Sequence, residues 1–129
     1  MVAAELGTVP GASAVLQGGV VAYQNSVKES VLGVDGSLLQ AAGSVDARVA
    51  EQMAAGVRRL LDAEIGISTT GVAGPEPHDG KPVGTVFIGV AAASGSSARE
   101  FHFTGDRASI RSQACAAALD LLAVELGAA

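Results

Sequence analysis

Apolar positions along the chain follow two periods. Residues 20–23, 65–70, 84–92 and 98–103 are short runs rich in aliphatic, β-branched or alternating residues, and they are read as strands. Between 46 and 61, Val49, Met53, Val57, Leu60 and Leu61 recur at helical spacing, and between 106 and 126 Ile110, Ala114, Ala117, Ala118, Leu121 and Leu122 do the same. Asp46 and Asp106 precede these two helices as N-caps. Residues 2–7 read as the tail of a helix closed by Gly7, with Pro10-Gly11 turning after it. No start signal precedes that tail, so sequence is expected to be missing upstream.

A further helix follows the first strand. Ser26 and Glu29 stand at capping-box spacing, which puts Lys28 in the first turn, and Gly33 stops the helix. Asp35-Gly36-Ser37 caps a short apolar turn over Leu38-Leu39 that Gly43 closes. A glycine turn, residues 71–75, leaves the second strand, and the polar loop 76–82 is long enough for a lid or a flexible excursion. Residues 94–97 turn the third strand into the fourth, a hairpin with a loop of several residues, and Arg99, Phe101 and Phe103 share one face. The pattern predicts a single three-layer α/β/α domain over residues 1–129, with a mixed sheet that includes one hairpin.

Composition narrows the function classes. Apolar residues are 49% of the chain and aromatic ones 3%, so the core is aliphatic. Eight basic against 13 acidic residues give a net charge of -5, and no basic stripe interleaved with aromatics is present, which argues against a nucleic-acid partner. The sole cysteine, Cys115, lies in an alanine-rich helix and reads as a small buried residue. No leader pattern or membrane-length apolar stretch occurs, so a soluble, cytoplasmic protein is expected. His78 and His102 are isolated and nothing has metal-ligand spacing, so no metal is expected.

Three places can carry chemistry. Lys28 sits where the helix dipole, and burial if it is buried, lower a lysine pKa toward the range of a base; the alternative is a lysine that extends to solvent. Tyr23, the only tyrosine, ends the first strand, either as a core ring with a wet tip or as a hydroxyl aimed into a cleft. The turn Thr69-Thr70-Gly71-Val72-Ala73-Gly74-Pro75 can offer backbone N–H groups to an oxyanion or phosphate, or be a plain structural turn. It is no Walker loop, because Pro82 stands where a magnesium-binding hydroxyl is needed. Arg107 opens the last helix and either reaches a phosphate or is solvated.

Six ordered motifs span almost the whole chain: Val9-Pro10-Gly11-Ala12-Ser13, Gly18-Gly19-Val20-Val21-Ala22-Tyr23-x-Asn25-x-x-Lys28, Leu32-Gly33-Val34, Thr70-Gly71-x-Ala73-Gly74-Pro75, Lys81-Pro82-Val83-Gly84-Thr85-Val86 and Phe103-x-Gly105-Asp106-Arg107. Together they resemble the CinA C-terminal domain family, the nicotinamide mononucleotide deamidases. The resemblance implies hydrolysis of the nicotinamide carboxamide to a nicotinate nucleotide and ammonia, within pyridine-nucleotide salvage and without a cofactor. It implies a serine nucleophile with Lys28 as base and Tyr23 orienting nearby groups. It further implies a ligand site of Gly19, Asn25, Thr70, Gly71, Gly74 and, toward the phosphate, Arg107.

One departure matters. The family serine lies in an Ala-Glu-Ser-Cys-Thr-Gly-Gly stretch before a helix whose tail matches Val2-Ala3-Ala4-Glu5-Leu6, so serine and strand are expected upstream of Met1. Ser26 is accounted for as a cap and Ser13 follows a turn, so neither is expected to replace it. The 129 residues are therefore expected to be inactive or impaired as a hydrolase. The alternatives are a noncatalytic nucleotide-binding domain and a protein-interaction domain. A lost strand leaves a sheet edge open, and pairing as a homodimer is expected.

Overall fold

The two long helices start where their aspartates cap them. A computed structural model describes residues 2–8, 10–12 and 16–127. In it, the Asp46 carboxylate accepts from the N–H groups of Arg48 at 2.8 Å and Val49 at 3.3 Å, opening α4 (Ala47–Leu60). Asp106 accepts from the Ser109 N–H at 2.9 Å and opens α5 (Arg107–Glu125). These side chains satisfy N–H groups that have no partner inside a helix. Three shorter helices precede them: α1 (Val2–Gly7), α2 (Asn25–Ser30) and α3 (Gly36–Ala42). Asp35 caps α3 through the Ser37 N–H at 2.9 Å, and Gly43 closes it at φ 79°, so the expected apolar turn is a full helix.

Three strands form one antiparallel sheet in the order β1 (Gly66–Gly71), β2 (Thr85–Ala92), β3 (Gly95–His102). Thr70 stands opposite Phe87, and Ile88 opposite Arg99. All of β2 except its last residue is buried because both sheet faces are covered. Phe87 packs with Val45 and Ala50 on the α4 side, while Val86 and Ile88 pack with Ile110 and Ala118 of α5. Gly89 lets α4 close onto the sheet, since a Cβ there would come within 2.2 Å of the Ala50 carbonyl. Helices on both faces make this the expected α/β domain.

The helical stripe of α5 and the buried Cys115 match the periodicity, as does the face shared by Arg99, Phe101 and Phe103, with Phe101 and Phe103 stacked at 5.4 Å. His102 faces away from them and pairs with Glu100 at 2.7 Å. Four local expectations change. Residues 20–23 form no strand and pair with none, so among the described residues the sheet is purely antiparallel, not mixed. Val20 and Ala22 pack toward α4 with Val57, while Val21 is 79% exposed; with no neighbour to bond, this segment is one-sided and lies outside the ladder. The hairpin is tight, with Ala92 opposite Gly95 and only Ala93 and Ser94 between them. Leu60, at the last position of α4, faces solvent instead of the core. Finally, α2 begins at Asn25 with Gln24 at its N-cap, so Ser26 lies inside the helix and is no cap.

Candidate functional site

Lys28 is 5% exposed and buried in α2. Its Nζ donates to the Ala22 carbonyl at 2.6 Å, and burial pushes its pKa below the ordinary lysine value. Because α2 has six residues, Lys28 also lies in its last turn, so the cause is desolvation and not the helix dipole. Gly33, at φ 71°, ends the segment: its N–H and that of Val34 bond back to the carbonyls of Glu29 and Lys28. Tyr23 is 74% exposed and is therefore no core ring. Asn25 is exposed on the first position of α2, and Gly19 lies against Ala3 of α1.

Around the second group, Thr70 is buried and its Oγ1 donates to the Ser44 carbonyl at 2.7 Å. Gly71 is confined between Val86 and the Thr85 carbonyl, where a Cβ would come within 2.8 Å of either. Gly74 takes φ 87°, and its carbonyl accepts from Arg107 Nη1 at 2.8 Å. Arg107 is thus neither solvated freely nor detached from the turn; it joins the start of α5 to the end of the 70–74 segment. The loop 76–82 is no free excursion. Asp79 Oδ2 accepts from the Ser44 N–H at 3.1 Å and its hydroxyl at 3.3 Å, and lies 3.2 Å from His78 Nε2.

The two groups lean on α4 through different contacts. Leu32, four residues past Lys28, lays its carbonyl against Gly56, whereas Thr70 bonds to Ser44, ahead of the α4 N-terminus. At 1.5 Å per residue, Asp46 and Gly56 are about 15 Å apart along the axis. No hydrogen bond among the described residues joins Lys28 to the Thr70 turn. Nor does Lys28 Nζ contact a serine hydroxyl among them. Ser26 is exposed two positions away on α2, a spacing that points side chains to different faces, and Ser13 lies outside the described residues. No cluster of potential metal ligands occurs among the described residues, and no helix of these is long and apolar enough to cross a membrane.

Ser44 and Asp79 went unremarked in the pattern. Asp79-Gly80 is a turn dipeptide, and that was the available signal; the partner of its carboxylate lies 35 residues away.

Comparison with known proteins shows the family of the chain. The profile of the CinA C-terminal domain matches residues 1–126. A CinA-like protein of Frankia casuarinae is 52% identical over 122 residues, covering 95% of this chain and 28% of the relative. A putative competence-damage inducible protein of Desulforamulus reducens is 47% identical over 121 residues, covering 94% of this chain and 29% of that protein. The chain thus spans less than a third of these curated relatives. Among solved structures, the competence damage-inducible protein A of Klebsiella pneumoniae superposes with a TM-score of 0.92 at 30% identity, covering 98% of this chain and 79% of that one. The competence/damage inducible protein CihA of Agrobacterium tumefaciens gives 0.91 at 33% identity, covering 95% and 76%. The chain belongs to the CinA C-terminal domain family.

Proposed function

We propose that this domain serves the hydrolysis of the carboxamide of nicotinamide mononucleotide, with Lys28 as the base. The observation that carries this reading is the buried amine: Lys28 is desolvated, its pKa is lowered, and one N–H is held by the Ala22 carbonyl. A lowered pKa makes the amine easier to deprotonate, and the N–H held by the Ala22 carbonyl orients it, as a general base requires. In the reaction, a serine hydroxyl attacks the carboxamide carbon while its proton passes to Lys28 Nζ. Lys28 then protonates the departing nitrogen, which leaves as ammonia, and the serine ester remains. Water, deprotonated by Lys28, cleaves that ester, and the proton returns to the serine oxygen as the nicotinate nucleotide leaves.

The attacking hydroxyl is proposed to come from outside these 129 residues, because none of the described residues supplies one to Lys28. Tyr23, with Gly19 and Asn25 near it, orients the carboxamide; the Thr70-Gly71 to Gly74 turn and Arg107 receive the remainder of the nucleotide. That no hydroxyl among the described residues bonds Lys28 favours a second reading, in which these 129 residues bind nucleotide without turnover. In a chain extended by its upstream residues, Lys28→Met is expected to abolish ammonia release while circular dichroism and nucleotide binding persist. Undiminished turnover in that variant overturns the base role.

A further inference from the structure

The Asp79 carboxylate occupies a prepared seat. Gly43 takes φ 79° and has no side chain where the carboxylate lies; a Cβ there would come within 2.6 Å of Asp79 Oδ2. Buried Ser44 offers both its N–H and its hydroxyl to that oxygen. Asp79 itself stands at φ 50° and Gly80 at φ 73°, in a turn whose ends pair in both directions, His78 N–H to the Lys81 carbonyl at 3.2 Å and Lys81 N–H to the His78 carbonyl at 2.8 Å. A left-handed conformation is costly for a residue with a Cβ, and the bonds to Ser44 offset that cost. The opposite side of Ser44 completes a chain of contacts, since its carbonyl accepts from Thr70 Oγ1 at 2.7 Å.

Three segments remote in sequence therefore meet at one serine. From this geometry we propose that Asp79 is a positioning residue for the ligand turn. It holds the 76–82 loop on the α3–α4 junction and, through Ser44, fixes the Thr70 end of residues 70–74, while Arg107 fixes the Gly74 end. Asp79 does not touch ligand; it sets the shape of the backbone that does. The inference rests on the reading of residues 70–74 as part of the nucleotide site, but the mechanical link can be tested apart from it.

The test uses the 129-residue chain with Asp79→Ala and Asp79→Asn, reading amide hydrogen exchange at residues 70–74 and calorimetric affinity for nicotinamide mononucleotide. The charge-assisted bonds to Ser44 are lost in the alanine variant, so exchange at 70–74 is expected to rise by at least about tenfold and affinity to fall by a similar factor. Asparagine retains one acceptor oxygen and is expected to recover much of both. The amides of α5 report global unfolding. Should Asp79→Ala unfold the chain, Ser44→Ala, which removes only the hydroxyl donor, carries the same prediction with smaller amplitude. Unchanged exchange at 70–74 overturns the positioning role. Raised exchange with no nucleotide binding by the unaltered chain supports the link and overturns the ligand assignment instead.

Discussion

Lys28 offers up to three N–H donors, and among the described residues the acceptor it meets is the Ala22 carbonyl. Burial lowers its pKa in the folded chain below 10.5, so between those two values the unfolded chain binds more protons. Stability therefore rises with pH across that interval, and the part withheld by burying the charge is felt in full below it. Lys28→Met removes this titration. The thermal midpoint of the unaltered chain, measured relative to the variant, is expected to climb as pH is raised from neutrality toward 10.5; parallel pH profiles would contradict it. The Lys28 environment was only partly legible. Its helix and spacing are local, but burial depends on residues 20–23 folding back over α4, which no spacing encodes. Tyr23 illustrates the converse: ending an apolar run, it looked like a wall of a core or cleft, yet its ring is exposed because residues 20–23 have no strand beside them.

At the level of elements, close approach matters as much as periodicity. Gly56, inside α4, faces the Leu32 carbonyl so closely that a Cβ would lie 1.8 Å from it. Alanine is the better helix former by about 1 kcal/mol, but here the backbone of the α2–α3 connection would have to move. Gly56→Ala is therefore expected to destabilise the chain by about 1–3 kcal/mol, seen as a lower urea midpoint; an unchanged or higher midpoint would show that the contact relaxes freely. Helices α4 and α5, their aspartate caps and the three strands were legible, because each depends on spacing within a few residues. The two-residue hairpin was blurred, since Ser94-Gly95-Ser96-Ser97 carries turn residues beyond the turn itself. The 76–82 loop looked free because its anchor, Ser44, is distant in sequence. Ser26 looked like a cap because Gln24 makes no side-chain cap bond that its residue type would announce.

For the whole molecule, the sheet and its two covering helices form a frame, and the candidate site residues hang from two places on it. One is the 20–28 segment packed against α4; the other is the 70–74 turn, tied to Ser44 and Arg107. Family membership was legible because its six motifs are short and ordered, and the motifs 18–28 and 70–75 coincide with these two places. How the two places sit relative to each other was not legible, since motif order carries no distance. The central proposal is that Lys28 acts on a hydroxyl supplied from outside these 129 residues. The most direct measurement is ammonia release from nicotinamide mononucleotide by the purified 129-residue chain, beside the chain extended upstream. Turnover by the extended chain alone is the predicted result; equal turnover by the 129 residues would contradict it and place the attacking group within this chain.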